Sequence, residues 1–142
     1  MKNKIFATRN YGTSVNFTLL LLRIVFGSAL AIHGWGKIQS PFNWMGPDSS
    51  IPAFFQLLAA FSEFGGGIAV AIGLVTALAS LGIFFTMLGA VGLHAIVMGD
   101  PFVSATGGGS YELAAIYLCL ALFIMTSGPG KHSLDIMFFG VK

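Results

Sequence analysis

The sequence has 142 residues, of which 56% are hydrophobic and 8% are charged, and its mean hydropathy is +0.86. Soluble domains carry about 25% charged residues, so the composition excludes a water-soluble globular protein and favours a lipid bilayer as the surrounding solvent. The formal net charge is +2 and the basic residues form no continuous block, which argues against a nucleic-acid partner.

Four apolar stretches predict four membrane-spanning helices, at about residues 17–38, 51–74, 77–98 and 111–127. The hydrocarbon core of a bilayer requires roughly 20 apolar residues per helix. Four spans with short connections therefore use nearly the whole chain. The sequence predicts a single all-α transmembrane domain over residues 1–142, an integral membrane four-helix bundle without a soluble module.

The connections between the predicted spans differ in length. Residues 39–50 form a first loop, a tight turn at residues 75–76 joins the second and third spans, and residues 99–110 form a glycine-rich third loop. The Gly-Pro-Gly segment at residues 128–130 ends the fourth span, because proline cannot continue a helix and glycine suits its C-terminal cap. The tail at residues 133–139 is predicted to lie on the membrane surface.

Small residues mark the predicted packing face of the second span. Gly65, Ala69 and Gly73 are spaced by four residues, which places them on one side of an α-helix. Such faces let helix backbones approach closely in lipid. We therefore expect this side of the second span to contact a neighbouring helix.

The distribution of lysine and arginine predicts the orientation of the bundle. Five basic residues lie in the two terminal segments: Lys2, Lys4, Arg9, Lys131 and Lys142. The first loop and its edge contain Lys37 alone, and the third loop contains no basic residue. Basic residues concentrate on the cytoplasmic side of a membrane. The sequence therefore predicts cytoplasmic N- and C-termini in a multi-pass protein of the cell inner (cytoplasmic) membrane.

Five ionisable residues fall inside the predicted spans: Arg23, His33, Glu63, His94 and Glu112. A charged side chain at the centre of a membrane helix costs roughly 2.5–3.5 kcal/mol on insertion scales. Each of these residues is therefore expected to have a buried partner or a function.

Depth along the helices separates these residues into two groups. We measure the height of each residue along its helix from the predicted cytoplasmic end of the span. At the rise of an α-helix, this height is ~24 Å for His33, ~25 Å for His94 and ~22 Å for Glu112. One hypothesis is a shared site in this outer layer, with Lys37 one turn above His33. The alternative is that these residues are interfacial and extend to water.

Arg23 and Glu63 lie deeper, at ~9 Å and ~16 Å by the same helical rise. Both side chains are long, so the sequence predicts an ion pair between the first two helices. The pair would be purely structural, or Glu63 would handle a proton or a substrate beside the Gly65-Gly66-Gly67 run.

The chemistry of the outer layer favours a quinone or lipid-like ligand. Histidine can donate to or accept from a quinone carbonyl, and a nearby carboxylate can accept a proton. Two histidines and a carboxylate could also bind a metal ion, and two facing histidines could bind haem. Metal ranks second and haem third, because the spans contain no local motif such as HxxxH.

The sequence resembles the DoxX family of small four-helix membrane proteins. The resemblance rests on Arg23-Ile-Val-Phe-Gly27 and His33-Gly34-Trp-Gly36-Lys37 in the first span, Glu63-Phe-Gly65-Gly66 and Gly73-Leu74 in the second, His94 in the third, and Gly128-Pro129-Gly130-Lys-His-Ser133-Leu134-Asp135 after the fourth. These segments extend over most of the chain, from about residue 19 to residue 135.

The resemblance implies the four-helix fold and a redox role. Family members are usually described as oxidoreductases; some resemble the membrane subunit of a thiosulfate:quinone oxidoreductase, and others are linked to thiol redox defence alongside partner proteins. It places His33, Lys37, Glu63 and His94 among the pattern residues of the family. This chain has a single cysteine, Cys119, so it departs from self-contained thiol chemistry.

The leading functional hypothesis is a membrane oxidoreductase, or the quinone-interacting subunit of a redox complex. Its catalytic residues would be His33, His94, Glu112 and Glu63; its head-group or cofactor residues would be His33, Lys37, His94 and Arg23, with no metal ligand among them. The alternative is a non-enzymatic accessory subunit of a larger respiratory or transport complex. A small transporter ranks last, because an inverted repeat is not evident.

Expected partners are the lipid bilayer, other membrane subunits or a second copy of the chain.

Overall fold

A computed structural model describes residues 11–139 of the chain, and every regular element in that range is helical. The helices in chain order are α1 (Thr13–Ile38), α2 (Ala53–Ile72), α3 (Thr76–Gly92), α4 (Glu112–Ser127) and the short α5 (Leu134–Phe139). A π-helical turn at Leu93–Met98 extends α3 towards the third loop. The predicted all-α fold is confirmed.

Three of the described helices are long and apolar enough to cross a membrane: α1, α2, and α3 with its π-helical turn, which have 26, 20 and 23 residues. α4 is also apolar and has 16 residues. Buried apolar side chains from all four helices form one core: Phe26, Leu30, Val70, Ile83, Met87, Ala121 and Ile124. Many other large apolar side chains point outward, as expected for a bundle whose surface faces lipid.

The helix boundaries agree closely with the predicted spans, and the largest difference is at the start of α1. This helix begins at Thr13, in a polar stretch that hydropathy does not detect. Asn16 stabilises the first turn, because its buried amide donates to the carbonyl oxygen of Tyr11 and accepts from the backbone N–H of Lys131. A helical turn that is held by polar contacts leaves no hydrophobic signal in the sequence.

The contact between α1 and α2 is made through glycines on both helices. A Cβ at Gly27 would collide with the carbonyl oxygen of Gly67, and a Cβ at Gly34 would collide with the backbone of Phe64. Gly65 instead faces open space. Of the predicted face of Gly65, Ala69 and Gly73, Gly65 therefore makes no close helix contact, whereas Gly73 lies against Arg23 of α1. The close approach of α2 to α1 is made at Gly67.

The α2–α3 turn lies part-way along α1 rather than level with its start. Gly73 ends α2 in a left-handed conformation, with φ 73°, and a Cβ there would lie 2.9 Å from the guanidinium carbon of Arg23. Arg23 is about 15 Å along α1 from its first residue at the rise of an α-helix. The chain after α4 fills the space beside this turn, where the Asp135 carboxylate accepts from the backbone N–H groups of Val75 and Thr76 at 2.6 and 2.9 Å.

The first part of the C-terminal tail is anchored in the bundle rather than placed on the membrane surface. Ser133 and Asp135 are buried, and the backbone N–H of Asp135 donates to the carbonyl oxygen of Gly73 at 2.7 Å. The exposed apolar side chains of α5, such as Met137 and Phe138, follow this anchored part. A surface position remains a prediction for that end of the tail.

The orientation of the bundle remains a prediction. Four of the basic residues on which it depends, Lys2, Lys4, Arg9 and Lys142, lie outside the described residues.

Candidate functional site

Arg23 is buried but does not contact Glu63, so the predicted ion pair was wrong. Its guanidinium donates to the backbone carbonyl oxygens of Pro129 and His132, the latter at 2.7 Å. The missing side chain of Gly73 leaves the space that the guanidinium occupies. Glu63 lies about 15 Å further along α2, at the rise of an α-helix. The prediction failed because it treated the start of α1 and the end of α2 as level.

Glu63 instead forms an ion pair with Lys37, across the contact between α1 and α2. The Lys37 ammonium lies 2.5 Å from one carboxylate oxygen of Glu63, and the two side chains are 24% and 4% exposed. Gly34 permits this pair, because it brings the α1 backbone against Phe64, the residue next to Glu63. The pair places two charges within a largely apolar part of the bundle, where each requires the other.

The first loop folds over this ion pair. The Lys37 ammonium lies 4.5 Å from the centre of the Trp44 ring, a cation–π contact. The Trp44 indole N–H donates to the backbone carbonyl oxygen of Gln56 at 2.9 Å. The Gln56 side chain holds the same loop, since its amide accepts from the backbone N–H of Met45 and donates to the carbonyl oxygen of Ile51. The loop is thereby attached to the start of α2.

An apolar groove of about 980 Å³ lies between α2 and α3 beneath this loop. The Lys37–Glu63 pair lies on its wall, and most other lining side chains are apolar. Phe61 and Phe85 line the groove and are 60% and 62% exposed, so the groove opens sideways towards the surrounding lipid. A pocket of this volume, with few polar groups in an apolar lining, is typical of a small-molecule site.

The structure does not bring the three residues of the predicted outer layer, His33, His94 and Glu112, into contact with one another. His33 is exposed, and its ring lies edge-on to Tyr117 with 6.2 Å between ring centres. The His94 Nδ1 atom lies 2.7 Å from an Asp100 carboxylate oxygen, and Glu112 is the first residue of α4. Among residues 11–139, no hydrogen bond or ion pair connects any two of His33, His94 and Glu112. Within the same range, no three His, Cys, Asp or Glu side chains are grouped so that they could hold a metal ion.

Of the six predicted site residues, the groove therefore brings together Lys37 and Glu63. Sequence reasoning missed Trp44, Gln56 and Thr86, which also line it. The signal for Lys37 and Glu63 was present in the glycine pattern, because Gly27 and Gly34 are seven residues apart and mark the face of α1 that contacts α2. Trp44 and Gln56 carry no such pattern, since a folded loop positions them.

The fold and the groove define a class: a small four-helix membrane protein with an ion pair at the wall of an apolar groove that opens to lipid. The family model for DoxX matches residues 18–97, a range that contains α2 and most of both α1 and the extended α3. The chain belongs to the DoxX family, which confirms the resemblance found in the sequence.

The chain is also similar to a protein of Haemophilus influenzae that is described as an uncharacterized protein. The two are 32% identical over 125 residues, which cover 87% of this chain and 92% of the relative. No solved structure matches the chain.

Proposed function

We propose that this protein is a membrane oxidoreductase, or the quinone-interacting subunit of a membrane redox complex, and that the groove between α2 and α3 holds a quinone-type lipid. The observation that carries the proposal is the position of the Lys37–Glu63 pair on the wall of an apolar groove of about 980 Å³. A quinone combines a polar ring with a long apolar chain. The pair would face the ring, and the opening beside Phe61 and Phe85 would pass the chain to the bilayer.

The two charged side chains supply complementary hydrogen bonds for such a ring. An ammonium group has three N–H donors, and Glu63 occupies one of those of Lys37, so the others remain for a quinone carbonyl oxygen. The second carboxylate oxygen of Glu63 can accept from a quinol hydroxyl. Reduction of a quinone takes up protons together with electrons, and a carboxylate in contact with the ring oxygen is suited to proton transfer. In this proposal the electrons come from a partner subunit.

Trp44 provides a direct test of quinone binding, because it lines the groove. The chain has two tryptophans, and Trp35 packs against Phe64 with 58% of its surface exposed. In the Trp35→Phe variant the remaining tryptophan is Trp44, so its fluorescence reports from the groove. In the matched Trp44→Phe variant the remaining tryptophan is Trp35, so its fluorescence reports from the helix surface. We expect a short-chain quinone to quench the Trp44 fluorescence with saturation, and the Trp35 fluorescence only in linear proportion to its concentration.

The same titration identifies the residues that bind the ring. In the Trp35→Phe background, Glu63→Gln is expected to weaken quinone binding by about tenfold, since it removes the charge that fixes the Lys37 ammonium. Equal linear quenching of Trp44 and Trp35 would show that the groove is not a quinone site.

Glycines with open space beside them favour the second candidate function, an accessory subunit of a larger membrane complex. Gly65 on α2 and Gly92 on α3 have no atom within 4 Å of a Cβ placed on them. Small residues at a lipid-facing surface allow another helix to approach closely. We expect Gly65→Leu to reduce co-purification with partner subunits if this function is correct, while quinone quenching of Trp44 is unchanged. Undiminished co-purification would count against it.

A further inference from the structure

We infer that the groove between α2 and α3 selects an amphiphile with an uncharged, oxygen-containing head group and disfavours anionic and cationic amphiphiles of the same chain. This inference deepens the proposed function and rests on the groove being a ligand site. It concerns the chemical class of the head group, and it follows from the charges and hydrogen bonds of the groove wall.

The charges on the groove wall cancel. Lys37 and Glu63 are the charged residues that line the groove, and their side chains are paired at 2.5 Å. The Glu63 side chain is 4% exposed, so little water reaches it. A head group with its own charge would bring a third charge into an apolar wall without a partner, which is strongly unfavourable.

The hydrogen-bonding capacity of the wall favours oxygen atoms on the head group. Both ends of the Gln56 amide are occupied by the backbone of Met45 and Ile51, and the Trp44 N–H is occupied by the backbone carbonyl of Gln56. The remaining N–H donors of Lys37 and the second oxygen of Glu63 stay available. A carbonyl oxygen can accept from Lys37, and a hydroxyl can donate to Glu63.

The shape of the groove indicates that the ligand enters from the bilayer. Leu58, Phe61 and Phe85 line the opening and are 48%, 60% and 62% exposed. The Trp44 ring covers Lys37 from the side of the first loop. The head group would therefore lie against the ion pair under Trp44, and the apolar chain would extend between α2 and α3 into lipid.

Three probes with the same dibrominated stearyl chain test the selection by charge: a methyl ester, a sulfonate and a primary amine. Bromine atoms quench tryptophan fluorescence at short range, so Trp44 in the Trp35→Phe variant reports occupancy of the groove in nanodiscs. We expect saturable quenching by the methyl ester, with a half-saturation concentration at least about tenfold lower than those of the sulfonate and the amine.

Removing one member of the ion pair should change the selection in a defined direction. Glu63→Gln leaves the Lys37 ammonium without its counter-ion, so the preference should move to the sulfonate by about tenfold. The double variant Lys37→Met with Glu63→Gln has no charge on the wall and should again prefer the methyl ester. This double variant controls for the loss of the glutamate itself.

The outcomes separate this inference from the proposed function. Saturable quenching by all three probes with equal half-saturation, or a sulfonate preference in the parent protein, would overturn the selection by charge while leaving the groove as a ligand site. The absence of saturable quenching by the three probes and by the short-chain quinone would overturn both. A methyl ester preference that Glu63→Gln converts to a sulfonate preference would support the inference.

Discussion

Backbone carbonyl groups accept the hydrogen bonds of Arg23, a buried cation in the first membrane span. The guanidinium donates to Pro129 and His132, so it attaches the segment after α4 to the middle of α1. We expect Arg23→Met to lower the free energy of unfolding by about 2–4 kcal/mol, because buried carbonyl oxygens lose charged donors. Reversible unfolding in mixed detergent micelles measures this difference.

Arg23→Lys is the matched control for this substitution. Lysine keeps the positive charge, but an ammonium group lacks the planar fork that reaches two acceptors at once. Its stability should lie between those of the parent protein and Arg23→Met. An Arg23→Met variant as stable as the parent protein would contradict a structural role for the two hydrogen bonds.

The sequence identified Lys37 and Glu63 as residues of interest but assigned the wrong partner to Glu63. The assignment used depths that were measured from the span ends, and it therefore required the ends of α1 and α2 to be level. In the structure, the α2–α3 turn stops beside Arg23, and the segment that ends at Asp135 fills the remaining space. Hydropathy locates each span along the chain, but the vertical offset between spans depends on tertiary packing.

The contact between α1 and α2 depends on the absence of side chains at particular positions. A Cβ at Gly34 would collide with the backbone of Phe64, which cannot move without separating the helices. We expect Gly34→Ala to lower the free energy of unfolding by about 1–3 kcal/mol. The same separation should move Lys37 away from Glu63, so the saturable quenching of Trp44 by quinone should weaken as well.

Gly36 offers a control on the same helix, two residues away. A Cβ at Gly36 has no atom within 4 Å, so Gly36→Ala should be neutral or should stabilise the helix by up to about 1 kcal/mol. The pair of variants is compared in one unfolding assay. Equal effects of the two substitutions would show that the α1–α2 contact is not limited by backbone approach.

The helices were predictable from the sequence, whereas the residue at which α2 approaches α1 most closely was not. Continuous apolar stretches bounded by proline and glycine located α1 to α4. The run Gly65-Gly66-Gly67 offers a small residue on several sides of α2, so spacing within α2 alone could not select Gly67. The π-helical turn at Leu93–Met98 was also missed, because its wider hydrogen-bonding pattern leaves no distinct hydrophobic period.

Contacts between the start of α1 and the end of α4 place these two segments at the same end of the bundle. The Tyr11 hydroxyl donates to the carbonyl oxygen of Ser127 at 3.1 Å, and the backbone N–H of Lys131 donates to Asn16 at 2.8 Å. The structure thus places residues 11 and 131 on a common side of the bundle. The surplus of basic residues in the terminal segments predicts that this side is the cytoplasm.

Cysteine labelling in right-side-out membrane vesicles tests the predicted side. The background variant is Cys119→Ser, since the chain has one cysteine. Thr106→Cys lies in the third loop and His132→Cys lies beside the end of α4; both positions are exposed, and neither substitution removes a lysine or arginine. We expect a membrane-impermeant maleimide to label Thr106→Cys in intact vesicles, and His132→Cys only after permeabilisation. The opposite pattern would place the Lys37–Glu63 pair and the first loop nearer the cytoplasm, so that in the proposed function the protons taken up by the quinone would come from that side.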